Sequence, residues 1–252
     1  RDSSVTGVQT CALPILMLAG RQVYLSVGPH ERPPRAYRGI DFCWWLGVLG
    51  KWEAATRGPG TEHITIAVSG ARGGHTVDFR RLAARGMTLV GLTESCTNGM
   101  MSFKGDLTEN LANGDANYLG LLDEADAYVI RNGLDLPTDP DARNILPDPE
   151  CVTHPIRELN LAEAGVTSIV WATGFTSDYS WLRVDAFDDL GRPKHQRGVS
   201  SEPGVYFLGL SWQSRRGSAF IWGVWHDAKL LADRITTHRK YLEYRMPARA
   251  AE

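Results

Sequence analysis

The stretch Glu202-Pro203-Gly204-Val205-Tyr206-Phe207-Leu208-Gly209-Leu210 decides how this chain is read, together with Ser211-Trp212-Gln213-Ser214-Arg215-Arg216-Gly217-Ser218 and the run on to Arg234. Pro203-Gly204 is a turn signal. Val205 to Leu210 is a short, apolar, aromatic-rich run that predicts a buried strand. Beyond the polar loop, apolar side chains recur at Ile221, Val224, Ala228, Leu231 and Ile235, which form one stripe of a helix. Asp227, Lys229, Asp233 and Arg234 are read as lying off that stripe. Ser218 is read as the N-cap of this helix and Gly217 as a place where a ligand comes close to the backbone. The first turn of a helix leaves unpaired N–H groups and a partial positive charge, so a strand, a glycine-bearing loop and a helix together suit an anionic or electron-rich ligand. The bland reading is that every α/β protein contains such units.

Two parts of this stretch, Pro203 to Leu210 and Arg216-Gly217-Ser218-Ala219, resemble the closing segment of flavin-containing monooxygenase-like flavoproteins, some of which carry a potassium-transport flavoprotein label. The resemblance implies that the segment is the last strand and helix of an FAD domain, with the helix start facing the flavin. Gly209, Leu210, Arg216, Gly217 and Ser218 are then expected to contact FAD. The family usually has proline where Ser211 stands, and often His-Thr where Ser214-Arg215 stand.

A length of 252 residues allows one large or two small domains. With 43% hydrophobic and 22% charged residues, the composition is that of an ordinary globular protein. A net charge of −2 gives no reason to expect nucleic acid or an anionic membrane as partner. Cys11, Cys43, Cys96 and Cys151 are far apart and form no CxxC or Cys/His cluster, which argues against a disulfide framework or a metal site and fits a cytoplasmic location.

Cys11 to Leu18 is apolar but interrupted by Pro14, and its leader lacks a charged n-region. Val5 to Ile15 resembles a translated sequencing-adapter read, so residues 1–15 are set aside as non-native and the natural protein is expected to be longer at its N-terminus. Leu16 to Gly20 reads as a helix end, and Gln22 to Val27 as a strand, the second half of a βαβ unit whose glycine-rich turn is missing. Ala19 to Gly28 and Arg38 to Leu46 are similar to the NADPH-binding domain of the same family. At the strand's end stands Ser26-Val27-Gly28 rather than an acidic residue, and Arg32, Arg35 and Arg38 follow. Guanidinium forks suit a 2′-phosphate, so Ser26, Arg32 and Arg35 are candidate NADP contacts; the alternative is a solvated arginine-rich loop. Trp44 and Trp45 read as packing residues and Cys43 as a buried thiol.

Further along, Asp78 predicts a helix cap, with the helix running to Ala84 and stopping at Gly86, and Met87 to Leu92 predicts a strand. Met101-Ser102-Phe103 reads as the hairpin partner of that strand across Asn98-Gly99. Asp106 and Glu109 read as a capping box for a helix that ends at Asn132-Gly133, on which Asp123, Glu124 and Asp126 form a solvated face. Residues 134–150, rich in proline and aspartate, read as a crossing loop. Ser168 to Phe175 reads as a buried parallel strand. By resemblance its Ala172-Thr173-Gly174 marks the crossing back into the FAD domain, with Gly174 close to a dinucleotide. Phe187 to Gly198 reads as a β-excursion.

The expected architecture is therefore α/β: an incomplete two-dinucleotide-binding, Rossmann-like flavoprotein fold with parallel sheets and a β-hairpin excursion. Residues 16–175 are assigned to an NAD(P)H-binding domain lacking its first strand and glycine-rich turn, and residues 176–252 to the C-terminal part of an FAD-binding domain. The resemblance implies an FAD-dependent NAD(P)H oxidoreductase of monooxygenase type, in which NADPH reduces a flavin that then activates oxygen on a small-molecule substrate. As a fragment it is expected to be catalytically incomplete. No catalytic residue or metal ligand is assigned, because the cofactor carries the chemistry. The alternative is a non-catalytic nucleotide-binding or interaction module, favoured by the eight tryptophans. A hydrolase is disfavoured by the lack of G-x-S-x-G.

Overall fold

The computed structural model describes residues 16–17, 19–55, 66–70, 73–172 and 177–245. The chain divides into two compact units, one of Arg1–Leu49 with His63–Phe175 and one of Gly50–Glu62 with Thr176–Glu252.

The first unit is built on a parallel pair. β1 (Tyr24–Ser26) lies beside β6 (Thr88–Val90), with Tyr24 opposite Thr88, Leu25 opposite Leu89 and Ser26 opposite Val90. The chain between them makes two small hairpins, β2 (Ala36–Tyr37) with β3 (Ile40–Asp41) and β4 (Val68–Ser69) with β5 (His75–Thr76). Helix α1 (Phe42–Val48) is capped by Asp41, whose carboxylate accepts from the Cys43 amide at 2.8 Å. Helix α2 (Phe79–Ala83) leads back into β6 and is capped by Asp78, which accepts from the Arg81 amide. Both caps are the short acidic type that satisfies an otherwise orphan N–H.

The Asn98-Gly99 turn forms, but the strand it joins to Met100–Phe103 is Thr93–Thr97 and not the run Met87 to Leu92. Both residues adopt left-handed backbone, with φ of 51° and 78°, between β7 (Thr93–Thr97) and β8 (Met100–Phe103). A third strand, β9 (Glu158–Asn160), pairs with β8 and has no sequence signal beyond a short apolar residue between polar ones. Helix α3 (Leu107–Asn132) crosses this unit and ends at Gly133 in the left-handed conformation. Its capping box does not form: Asp106 instead accepts from the Leu92 amide at 3.0 Å, tying the helix start to the end of β6. A short helix α4 (Glu150–Thr153) follows.

Two buried clusters hold this unit. Val23, Leu25, Val27, Met87 and Leu89 meet Leu107, Leu111 and Val152, and Tyr37 and Trp45 meet Tyr118, Leu122, Ala125 and Val129. Trp45 is core as expected. Trp44 packs edge-on against it but is half exposed, and Cys43 is exposed rather than buried.

The second unit departs most from expectation. Its hairpin, β10 (His195–Gln196) with β11 (Val199–Ser200), turns at Arg197-Gly198, and Val199 also bridges Tyr206. Val205 to Leu210 is not a strand of a parallel sheet: Phe207 is buried, but Leu208 is exposed. The helix does not start at Ser218. Residues Arg216–Ala219 form a separate 3₁₀ turn, and helix α5 (Val224–Arg245) begins further on. Ile221, placed on the helical stripe by periodicity, lies outside the helix and is exposed, whereas Asp227 is fully buried beside Leu231.

Ser168 to Ala172 likewise forms no strand, and Ile169, Val170 and Trp171 are exposed. A parallel strand needs hydrogen-bonded neighbours, and no strand among the described residues pairs with this run. The architecture is thus mixed α/β with small sheets. Among its named strands β1 and β6 are the parallel pair, and the extended parallel sheet of a Rossmann-like fold does not appear among the described residues.

Candidate functional site

The candidate residues fall in two regions, and each lies within one unit. The first is the carboxyl end of the parallel pair, where α/β sheets commonly bind ligands. Ser26 ends β1, but its hydroxyl is fully engaged. It donates to the Gly91 carbonyl at 3.0 Å and accepts from the Thr93 amide and hydroxyl at 2.9 and 3.0 Å. One donor and two lone pairs are then satisfied, and Ser26 acts as a clamp between strand ends.

Arg32 is also engaged. Only 5% of it is exposed. Its guanidinium pairs with Asp115 at 2.8 Å, approaches Asp78 at 3.8 Å and stacks over the Tyr118 ring. Asp115 in turn receives Arg80 at 2.5 Å, and Arg80 reaches Asp148 at 2.7 Å. This buried network joins the loop after β1 to α2, α3 and the loop before α4. Arg32 therefore sits in an internal clasp rather than on a ligand surface.

His30 lies beside this network. It is buried edge-on against Phe79, next to Gly114 of α3, and its Nδ1 is 2.9 Å from the Gly28 carbonyl. A carbonyl accepts only, so Nδ1 carries the proton. Nε2 is then the lone-pair nitrogen, and it has no hydrogen-bond partner. Burial holds the proton affinity of His30 below the usual imidazole range, outweighing the Gly28 carbonyl and Asp115, which raise it.

Arg35 is placed differently from Arg32. One guanidinium nitrogen meets Asp41 at 2.8 Å, its backbone amide donates to the Thr76 hydroxyl at 2.9 Å, and its side chain is partly open to solvent. Its Nε is buried without a hydrogen-bond partner. Of the three predicted NADP contacts, Ser26 and Arg32 are turned inward, and Arg35 keeps part of its side chain exposed while paired with Asp41.

Ala172 lies on the unpaired run described above, and Thr173 and Gly174 lie outside the described residues.

The second region is the loop of residues 209–218. Gly209 adopts φ of +85°, and no atom lies within 4 Å of where a Cβ would stand. The Leu210 amide donates to Gln213 Oε1 at 3.2 Å. Ser218 does not cap a helix. Its buried hydroxyl accepts from the Ser214 and Arg215 amides, both at 3.1 Å, and so folds the loop around itself. The Ser218 amide donates to the Arg215 carbonyl and the Arg216 amide to the Ala54 carbonyl. Gly217 is packed against the Trp52 backbone, 3.2 Å from its carbonyl oxygen to the ideal Cβ position. The amides expected to face a ligand are thus turned to protein carbonyls, and Trp52 fills the space in front of Gly217.

Two further side chains of the second unit escaped sequence analysis. Glu53 lies against Arg215 and places its other oxygen 3.4 Å from His226 Nε2. Asp227, with 0% exposure, has no hydrogen bond to either carboxylate oxygen, and Arg197 approaches it only to 4.0 Å. Burial lowers the proton affinity of His195, against the raising effect of Asp227.

Among the described residues no group of three His, Cys, Asp or Glu converges as a metal site, and no helix is long and apolar enough to cross a membrane.

No family model matches the chain, and neither does any solved structure. A protein of Geobacillus kaustophilus named uncharacterized oxidoreductase CzcO-like is 55% identical over 74 residues, which is 29% of this chain and 21% of that protein. Proteins named uncharacterized oxidoreductase CzcO from Bacillus velezensis and Bacillus subtilis are 45% and 44% identical over 71 residues, 28% of this chain and 21% of theirs. The chain thus spans about a fifth of the length of the curated relatives it matches.

Proposed function

We propose that this chain is part of an oxidoreductase that uses FAD and NADP(H). The observation that carries the reading is the 55% identity over 74 residues to a protein named an oxidoreductase. The finer assignment, a flavin-dependent enzyme of monooxygenase type acting on a small molecule, rests on the resemblance of Ala19 to Gly28 and Pro203 to Leu210.

The residues fit the two cofactors unequally. For NADP(H), the partly exposed guanidinium of Arg35, shared with Asp41, would meet a phosphate oxygen, while Ser26 and the buried Arg32 are taken by the fold. For FAD, the open backbone at Gly209 allows close approach, while Gly217 and Ser218 are closed by Trp52 and by their own loop. FAD supplies the redox chemistry when bound and NADP(H) the hydride. The part left to this chain is binding: Arg35 would hold a 2′-phosphate, and the 209–210 backbone would receive the flavin nucleotide.

Titrating the folded chain separately with NADPH and FAD tests this. Saturable binding of NADPH is expected, weakened by about tenfold in Arg35→Ala with an unchanged circular-dichroism spectrum. A folded chain that binds neither nucleotide overturns the reading. That outcome selects the runner-up, an interaction module, which the exposed Phe220, Ile221, Trp222 and Trp225 favour.

A further inference from the structure

Glu53 occupies an arrangement built to receive an anion. Arg215 Nη1 meets one of its carboxylate oxygens, and His226 Nε2 approaches the other at 3.4 Å. The two nitrogen groups come from different elements: Arg215 from the loop before the 3₁₀ turn, His226 from the first turn of α5. The receiving half is organised independently of Glu53. The Ser218 hydroxyl gathers the Ser214 and Arg215 amides from within, and Trp225 stacks on His226.

Glu53 arrives on a 3₁₀ turn, Lys51–Glu53, that begins at Gly50 in left-handed backbone. Trp52 rests on the Phe220 ring at 5.1 Å between centroids, and the Ala54 carbonyl takes the Arg216 amide. The turn therefore lies over the loop as a cap whose charged tip is Glu53. That carboxylate is 51% exposed, so its pairing is weakened by solvent and open to exchange.

We propose that Arg215 and His226 form a phosphate-binding site, filled in this conformation by the chain's own Glu53, and that a phosphate group competes with Glu53 for it. A phosphate group presents several oxygens and more charge than a carboxylate. A guanidinium fork matches two of those oxygens, and the imidazole nitrogen approaches from a second direction. Lifting Glu53 away frees both nitrogen partners at once. The proposal does not depend on the redox reading, because the ligand is recognised by its oxyanion alone.

The test is calorimetric titration of the full chain with inorganic phosphate, against potassium chloride at matched ionic strength. Glu53→Gln removes the internal competitor and is expected to bind phosphate about tenfold more tightly than the natural chain. Adding Arg215→Gln to that variant is expected to abolish the gain. Equal affinity in the natural chain and Glu53→Gln, with matching circular dichroism, overturns the proposal. If Glu53→Gln does not fold, the His226 ring resonances of the natural chain decide. A saturable shift with phosphate but not chloride supports the site, and no shift overturns it.

Discussion

His30 and Asp115 carry the sharpest consequences at the scale of single residues. His30 is buried with its proton affinity lowered, so between its folded value and the ordinary 6.5 the unfolded chain binds more protons than the folded one. Stability must then rise with pH through that window and level off above about 6.5. His195, also lowered by burial, contributes with the same sign. Urea midpoints between pH 5 and 8 should show this slope, and His30→Gln should flatten part of it; a slope unchanged by the substitution contradicts the assignment. Asp115 receives two buried arginines, so Asp115→Ala leaves Arg32 without its close ion-pair partner and Arg80 with Asp148 alone. It is expected to cost about 3–5 kcal/mol, read as a lowered urea midpoint. This network was legible in part. Asp115 falls four residues after Leu111 and three before Tyr118, on the apolar stripe of the helix. A charge on a buried stripe needs partners, but which arginines supply them is a tertiary fact. Asp227, read from the sequence as lying off its stripe, in fact stands three residues after Val224 and four before Leu231 and is buried.

Elements with local signals formed where the sequence placed them, and so did the strands read at Gln22 to Val27 and Met87 to Leu92, which pair with each other; two other runs of strand composition found no such partner. Helix α2 has its aspartate cap, and the β7–β8 hairpin has its Asn-Gly turn. Helix α3 ends at its glycine. Each of these depends on residues a few positions apart. Ser168 to Ala172 and Val205 to Leu210 have strand composition, yet pairing is what makes a strand, and composition cannot report a neighbour. The start of α5 was misplaced for a related reason. Ser218 has the chemistry of a cap, but its hydroxyl closes a loop four residues wide instead. Close packing at the strand ends gives a test at this scale. A Cβ on Gly91 would strike the Lys104 carbonyl and the Asp106 carboxylate, which link β6 to the start of α3. Gly91→Ala is expected to cost about 1–3 kcal/mol or more, measured by thermal unfolding, and a neutral result would show that these elements can part freely. Asp227→Asn makes the opposite prediction. Replacing a buried carboxylate that lacks hydrogen bonds with its neutral isostere should raise the melting temperature; a large fall would mean that the carboxylate has a partner.

For the whole molecule, the proposed nucleotide contacts fall one in each unit: Arg35, partly exposed, in the first and the uncrowded Gly209 backbone in the second. The composition and the net charge of −2 set no more than broad bounds, and the redox reading comes from the matched relatives and the family resemblance. The proposed preference for NADP over NAD would depend on a single guanidinium, since Ser26 and Arg32 serve the fold. That preference is therefore the most exposed part of the account. The direct test is equilibrium binding of NADP⁺ and NAD⁺ to the folded chain, followed by tryptophan fluorescence. The account predicts saturable NADP⁺ binding about tenfold tighter than NAD⁺, with the difference abolished by Arg35→Ala. Equal affinity for the two nucleotides, or a preference that survives the loss of Arg35, would contradict it.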